Sequence, residues 1–448
     1  MPIVTADRVK HFVPPPKRPD RMRIALSHEF VELYRGDKDL RVGKILCEDY
    51  GCEIVHLGTD IASPADSRIF KTRAYPVDEL CPLPDDYHLL LMKSRLIKLG
   101  KEGVHPGRIF RWTASVIPQL LRWKPDLIFE SPYQTLTPRS YQTYVASRLL
   151  KIPIVYLFSG DVEISIEKKH RIVLPLEKRV LKRIAGIISY NDAGRQRFIS
   201  KYGSCADKIH VIPKPVDHRS FRSNRDTETF VTKFGLGSRF VVAFFGRICD
   251  RRGAKYLLDA AATLNRNGAG NDIAFVFVGG QLMPDRNSEF ACRLKELGLD
   301  NVVVTGMIPN QDIPAAYAAA DVAVFPDLTN LPGFTTALAE SMASGLAIII
   351  GIKGWESAVP IIDGATGLII EARNPEQIAD KIEILKNDHR LRASLGENAR
   401  RFAERHMSYE RTVETYYEIF KQLTGKGAVC SDDEVSDRTH PEPETSAV

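Results

Sequence analysis

The chain repeats one pattern twice. Short runs rich in Val and Ile alternate with longer segments of helical spacing, first over Met22 to Pro213 and again over Arg239 to Ile370. Runs that are apolar at every residue, not at every second one, must be buried on both faces, so each block specifies a parallel sheet covered by helices on both sides. In the first block, strands are expected at Met22–Ser27, Cys52–Gly58, Asp126–Ser131, Ile152–Phe158, Gly186–Tyr190 and Ile209–Pro213. In the second they are expected at Arg239–Phe245, Ala274–Gly280, Asn301–Gly306, Val322–Pro326, Leu346–Gly351 and Thr366–Ile370. The fold class that follows is α/β, with two Rossmann-like doubly wound domains facing a cleft and ligands at the carboxyl ends of the strands. Residues 1–21 read as an N-terminal extension, 22–217 as the first domain, 218–238 as a polar interdomain connection and 239–405 as the second domain. Residues 406–424 read as an amphipathic helix packing back on the first domain, and 425–448 as a disordered acidic tail.

Composition removes several classes of function. The hydrophobic share of 44% and charged share of 26% over 448 residues are those of a globular protein with two or three domains. The longest uncharged apolar run near the middle, Ser341–Ile352, falls short of the roughly 18 residues that a membrane span needs. The first twenty residues hold Pro14-Pro15-Pro16 and scattered charges where a secretion signal needs an apolar stretch, so a cytoplasmic protein is expected. Seven cysteines without a C-x-x-C pair read as reduced thiols, and no Cys/His cluster has metal-ligand spacing, so no metal site is expected.

The net charge of +6 hides a division: residues 1–220 carry an excess of 12 positive charges and the remainder an excess of 6 negative ones. The basic excess concentrates in Lys93–Lys124, with eight basic residues against Glu102, and in Lys168–Arg183, with seven against Glu177. Such runs form solvated helix faces or a surface that attracts an anionic membrane or an acidic acceptor. No helix-turn-helix or aromatic RNP segment accompanies them, so nucleic acid is not an expected partner.

Two constellations can carry chemistry. Gly246-Arg247 ends the strand that opens the second domain, and Arg252-Gly253 follows five residues later. A glycine at the strand end lets a ligand approach the backbone, and two guanidinium groups on one loop form a clamp for a diphosphate or remain exposed surface arginines. The second constellation is Gly333-Phe334-Thr335-Thr336 followed by Ala337-Leu338-Ala339-Glu340-Ser341-Met342-Ala343-Ser344-Gly345. Hydroxyls and the N–H groups of a helix start converge there on a site for a phosphate or sugar, and Glu340 can accept hydrogen bonds from two neighbouring ribose hydroxyls or serve as a plain surface glutamate.

These segments, with Phe277-Val278-Gly279-Gly280, Pro314 to Asp321, Phe325-Pro326 and Gly364-Ala365-Thr366-Gly367, stand in an order that resembles group 1, family-4 retaining glycosyltransferases of the GT-B fold. Pro125-Asp126-Leu127-Ile128 and Lys208 to Asp217, which is similar to the family's I-P-N-G-V-D entry to the second domain, extend the resemblance over roughly residues 22–424. It implies transfer of a sugar, with retention, from a nucleotide-diphosphate-sugar donor to a lipid-linked, polysaccharide or other glycan acceptor, without a metal or other cofactor. The alternative it leaves is a catalytically silent relative that binds a nucleotide sugar or glycan and acts through a partner. Arg247 and Arg252 fall on the diphosphate-binding positions and Glu340 on the ribose-binding one, which makes these three the implied catalytic set. Gly36, Gly246, Gly279, Met307, Gly333, Phe334, Thr335 and Thr336 are the implied donor-binding residues. Two positions depart from the family: Pro332 replaces the first glutamate of its paired-glutamate motif, and Ser159 replaces the histidine that ends its fourth strand. The basic first domain implies peripheral contact with the inner face of a membrane.

Overall fold

The computed structural model describes residues 3–4, 8–28, 38–59, 83–98, 109–132, 137–158, 170–203, 206–221, 227–280, 288–328, 335–353 and 360–426. Residues 427–448 of the acidic tail and the positions Gly36, Ser159, Pro332, Gly333 and Phe334 lie outside the described residues.

The first half builds β1 (Ile3–Val4), β2 (Arg23–His28), β3 (Glu53–Thr59), β4 (Tyr87–Met92), a hairpin of β5 (Arg95–Lys98) and β6 (Ile109–Trp112), then β7 (Leu127–Ser131), β8 (Ile154–Phe158), β9 (Gly186–Ser189) and β10 (Ile209–Val211). All but the hairpin join one parallel sheet in the order β1-β4-β3-β2-β7-β8-β9-β10. Its two faces carry separate cores, one around Ile24, Leu26, Leu89 and Phe129 and the other around Ala25, Val55, Leu90 and Tyr156. Alternate residues of each strand feed opposite faces, which is why these runs are apolar throughout.

The second half builds β11 (Phe240–Phe245), β12 (Ile273–Val278), β13 (Val302–Gly306), β14 (Val322–Phe325), β15 (Ala347–Ile352) and β16 (Leu368–Glu371). They pair in the order β13-β12-β11-β14-β15-β16, which in order of appearance reads 3-2-1-4-5-6, the doubly wound arrangement. The strand order reverses between β11 and β14. A crevice opens at such a reversal because neighbouring connections leave on opposite faces, so the residues after β11 and β14 meet any ligand there.

Three segments differ from the sequence reading. The segment before Met22, read as an N-terminal extension, packs on the first domain: β1 pairs with β4, Val9 is buried, and its carbonyl accepts a hydrogen bond of 3.0 Å from Gln119 Nε2. Within 218–238, read as a connection, Phe221, Phe230 and Leu236 are buried in the second domain's core and Glu228–Lys233 is helical. The basic stretch Lys93–Lys124 contains β5, β6 and the helix Val116–Trp123, whose Trp123 is buried beneath it.

The chain crosses between the halves twice, and the two crossings are tied together. Val216 N–H donates to the Met407 carbonyl at 2.8 Å, and Arg41 of the first half pairs with Asp217 while stacking on the ring of Tyr409. After the second crossing, the helix Tyr409–Thr424 turns Val413, Tyr416 and Phe420 into the first sheet's core, with the Phe420 ring 5.2 Å from that of Phe129. Burial alone would raise the Asp217 pKa, but hydrogen bonds from Arg41 and Ser220 outweigh it and hold the carboxyl below its usual range. A depressed folded-state pKa contributes stability that is present above the unfolded value and lost as pH falls through the folded one. Asp217→Asn should therefore cost about 1 to 3 kcal/mol at neutral pH, with the gap to wild type closing below about pH 4 in denaturant titrations.

Candidate active site

The backbone at the carboxyl ends of β11, β12 and β13 is laced together by glycines. Gly246 N–H donates to the Val278 carbonyl at 2.9 Å, and Gly279 N–H to the Gly306 carbonyl at 3.1 Å. At Gly279 φ is +140°, and a Cβ there would lie 2.0 Å from the Gly246 carbonyl oxygen, so no other residue fits without moving backbone. Gly246, with φ +118°, has the Arg252 guanidinium above it: a Cβ at Gly246 would stand 2.9 Å from Arg252 Nη1. The same position is 3.9 Å from the Ala337 Cβ. The strand-end glycine thus brings the arginine loop and the start of the helix Thr336–Ala343 to one point, although 85 residues separate Arg252 from Ala337 in the chain.

Each partner is set by local structure. Arg252 ends a 3-10 turn, Asp250–Arg252, before the helix Ala254–Arg266, which leaves its side chain half-buried over the strand ends while Arg247 is exposed. Thr335 caps the second helix, its hydroxyl accepting from Leu338 N–H at 3.2 Å, and Thr336 is the first helical residue. The N–H groups of Thr336 and Ala337, which have no partner among the described residues, make a partly positive pole at the helix start near Arg252. Glu340 follows one turn later, half-buried, and its Oε2 accepts a 2.8 Å hydrogen bond from the Tyr317 hydroxyl. Tyr317 is itself buried and stacked on Phe245 at 3.8 Å between ring centroids. Met307, at the end of β13, lies over Gly280 with its side chain largely exposed.

Arg252, Gly246, Thr335, Thr336 and Glu340 therefore gather at the point where the strand order reverses, with Gly279 beneath and Met307 at the rim. Arg247 is on the same loop and turned to solvent. Sequence reasoning missed Tyr317, whose part depends on a stacking contact that no local motif announces. It also missed a buried polar group at the carboxyl ends of the first sheet. There Arg139 donates from Nε to Ser27 Oγ at 3.0 Å and from Nη2 to the Leu57 carbonyl, while Glu130 accepts from Ser140 Oγ at 3.4 Å. That group fixes the end of β2 next to the segment that holds Gly36 in sequence. Among the described residues no group of three His, Cys, Asp or Glu side chains is placed to hold a metal ion, and no helix is long and apolar enough to cross a membrane.

The chain is similar to known proteins along most of its length. The family described as "Glycosyl transferases group 1" matches residues 226–402, and "Glycosyltransferase Family 4" matches residues 82–220. An alpha-D-kanosaminyltransferase of Streptomyces kanamyceticus is 26% identical over 273 residues, which is 58% of this chain and 68% of that protein. A GDP-mannose-dependent alpha-(1-6)-phosphatidylinositol monomannoside mannosyltransferase of Mycolicibacterium smegmatis is 29% identical over 242 residues, covering 52% of this chain and 62% of that one. A D-inositol 3-phosphate glycosyltransferase of Corynebacterium kroppenstedtii is matched over 56% of its length, so such alignments reach about two thirds or less of the relatives. In three dimensions, Anabaena HepE solved in complex with UDP superposes with a TM-score of 0.68 at 19% identity, over 90% of this chain and all of that one. WaaG, a glycosyltransferase involved in lipopolysaccharide biosynthesis, superposes with a TM-score of 0.58 at 17% identity, again over 90% of this chain and all of that one. With two consecutive family matches that together span more than two thirds of the chain, and two doubly wound sheets, the protein belongs to the group 1 glycosyltransferases and has the GT-B fold.

Proposed function

We propose that the protein transfers a sugar, with retention of anomeric configuration, from a nucleoside-diphosphate-sugar donor to a glycan, polysaccharide or lipid-linked acceptor. The observation that carries this reading is the convergence of the Arg252 guanidinium and the helix start at Thr335 and Thr336 over Gly246. A diphosphate placed there meets a fixed positive charge on one side and backbone N–H groups on the other. Glu340, one turn along the same helix, is then spaced to accept hydrogen bonds from the ribose hydroxyls. The Tyr317 hydroxyl occupies one carboxylate oxygen and so orients the other. Met307 at the rim, over Gly280, would then cover the base.

The chemistry needs little more from the protein. As the bond from the anomeric carbon to the diphosphate breaks, negative charge grows on the leaving oxygens, and Arg252, with Arg247 swinging in from solvent, stabilises that charge in place of a metal. The leaving diphosphate takes the acceptor proton from the same face, which gives retention without a dedicated protein base. The acceptor is held by the first domain, whose excess of basic residues favours an anionic glycan or an acceptor embedded in an anionic membrane surface. A binding-only role is the less favoured reading, since the relatives above bear transferase names.

Incubation with nucleotide sugars and candidate acceptors, read by release of nucleoside diphosphate and by the anomeric coupling in the NMR spectrum of the product, tests the proposal. Transfer with a product of the donor's own anomeric configuration supports it, and an inverted product contradicts it. Tyr317→Phe removes only the hydroxyl that steadies Glu340, so it should weaken donor binding by about 1 kcal/mol, roughly fivefold in KM, with kcat nearly unchanged.

A further inference from the structure

We propose that the acidic segment Asp432–Glu444 of this chain docks in a basic groove on the far side of the first domain, at the amino-terminal ends of β8 and β9. The groove encloses about 420 Å³ and is lined by Arg148, Lys151, Ile152, Pro153 and Arg183. The three cations are exposed, and none of them forms an ion pair among the described residues. Lys208 lies alongside, its Nζ donating to the carbonyls of Lys182 and Ile184 at 3.0 and 3.2 Å. Ile152, Pro153 and Ile154 line its floor, so the surface joins a cluster of cations to an apolar edge.

The chain itself leads there. The last helix places Leu423 against Gly186 at the start of β9, and Lys426, the last described residue, pairs at 3.0 Å with Asp126 just ahead of β7. In the sheet β7, β8 and β9 are consecutive neighbours. Two strand spacings of about 4.8 Å put the start of β9 roughly 10 Å from that of β7, whereas the chain from Lys426 to Asp432 can span up to about 20 Å. The segment that follows carries Asp432, Asp433, Glu434, Asp437, Glu442 and Glu444 against the single basic residue Arg438. Carboxylates and guanidinium groups held close by such a short tether pair at high effective concentration without any further contact. Docked there, the segment competes with any other anionic surface for the same cations.

The test uses the full chain. Trypsin cleaves after Arg438, inside the acidic segment, so docking slows that cut. Neutralising the segment with Asp432→Asn, Asp433→Asn and Glu434→Gln, or reversing the groove with Arg148→Glu and Arg183→Glu, should each speed the cut about tenfold, because cleavage follows the undocked population. The neutralised variant leaves the folded domains untouched, so the result stands even where the groove variant is unstable. A zero-length carbodiimide should join Lys151 to carboxylates of 432–444 within one molecule at high dilution, and ionic strength of about 0.5 M should abolish the link. Equal cleavage rates in all three proteins would overturn the proposal, as would cross-links confined to other lysines or formed between molecules. Phosphatidylserine vesicles that occupy the groove without changing the cleavage rate would also overturn it and assign the surface to lipid.

Discussion

Arg252→Ala should lower turnover of the nucleotide-sugar donor by about 100- to 1,000-fold, the loss typical of a donor group aimed at charge that develops in the transition state. The guanidinium sits over Gly246, beside the helix start that would hold the same diphosphate, so its removal leaves the leaving group with the helix dipoles and only the exposed Arg247 for charge. Arg252→Lys restores the charge but not the planar fork, and recovery of part of the rate would show that the charge matters more than its shape. Arg252 is half-buried on a surface turn and its loss removes no core packing, so the thermal midpoint of the alanine variant should stay near that of wild type. A large drop in the midpoint together with the loss of rate would assign Arg252 to structure.

Gly279→Ala should be among the most damaging single-methyl changes in the second domain. Its Cβ would meet the Gly246 carbonyl oxygen at 2.0 Å, and its φ of +140° is one that side chains rarely adopt. Strain and overpacking together should cost about 3 to 5 kcal/mol. Two neighbouring cases separate the causes. Gly268 has φ +76° with open space around it, so Gly268→Ala should cost only the conformational part, about 1 kcal/mol. At Gly280 the added methyl would clash only with the flexible Met307 side chain, at 2.7 Å, and would meet backbone at an ordinary contact distance of 3.6 Å from Met307 N, so the neighbour can swing aside. The order Gly279 far above Gly268, measured by denaturant unfolding, follows from the backbone collision; equal losses at both would refute it. Because Gly279 shares its clash with Gly246, the same variant should also lose donor binding even where it remains folded.

The fold was legible in the sequence where burial on both faces leaves an unbroken apolar signature. All twelve expected strands are present, with ends shifted by a residue or two. Strand β4, Tyr87–Met92, escaped because its apolar run follows a Pro-rich turn and merges into the basic stretch that starts at Lys93, where charge dominates the reading. Strand β1 has two residues and exists through its pairing with β4, so no local pattern encodes it. At the candidate site, Arg252, Thr335, Thr336 and Glu340 were readable because a loop arginine and a capped helix leave marks in the local sequence. Tyr317 was not, since its position depends on Phe245, 72 residues earlier in the chain. Likewise Arg139, which bridges the ends of β2 and β3, reads in sequence as one more residue of a basic half.

The proposed transfer rests on a nucleoside diphosphate binding to the cleft side of the second domain through Arg252. The most direct measurement is a thermal-shift titration of UDP-, GDP-, ADP- and dTDP-sugars against wild type and Arg252→Ala. A ligand at 100 times its dissociation constant stabilises the fold by about 2.7 kcal/mol, enough to move the melting temperature by several degrees. A shift with one nucleotide class in wild type that vanishes in the alanine variant is expected. A shift of the same size in both proteins, or none with any nucleotide sugar, would contradict it.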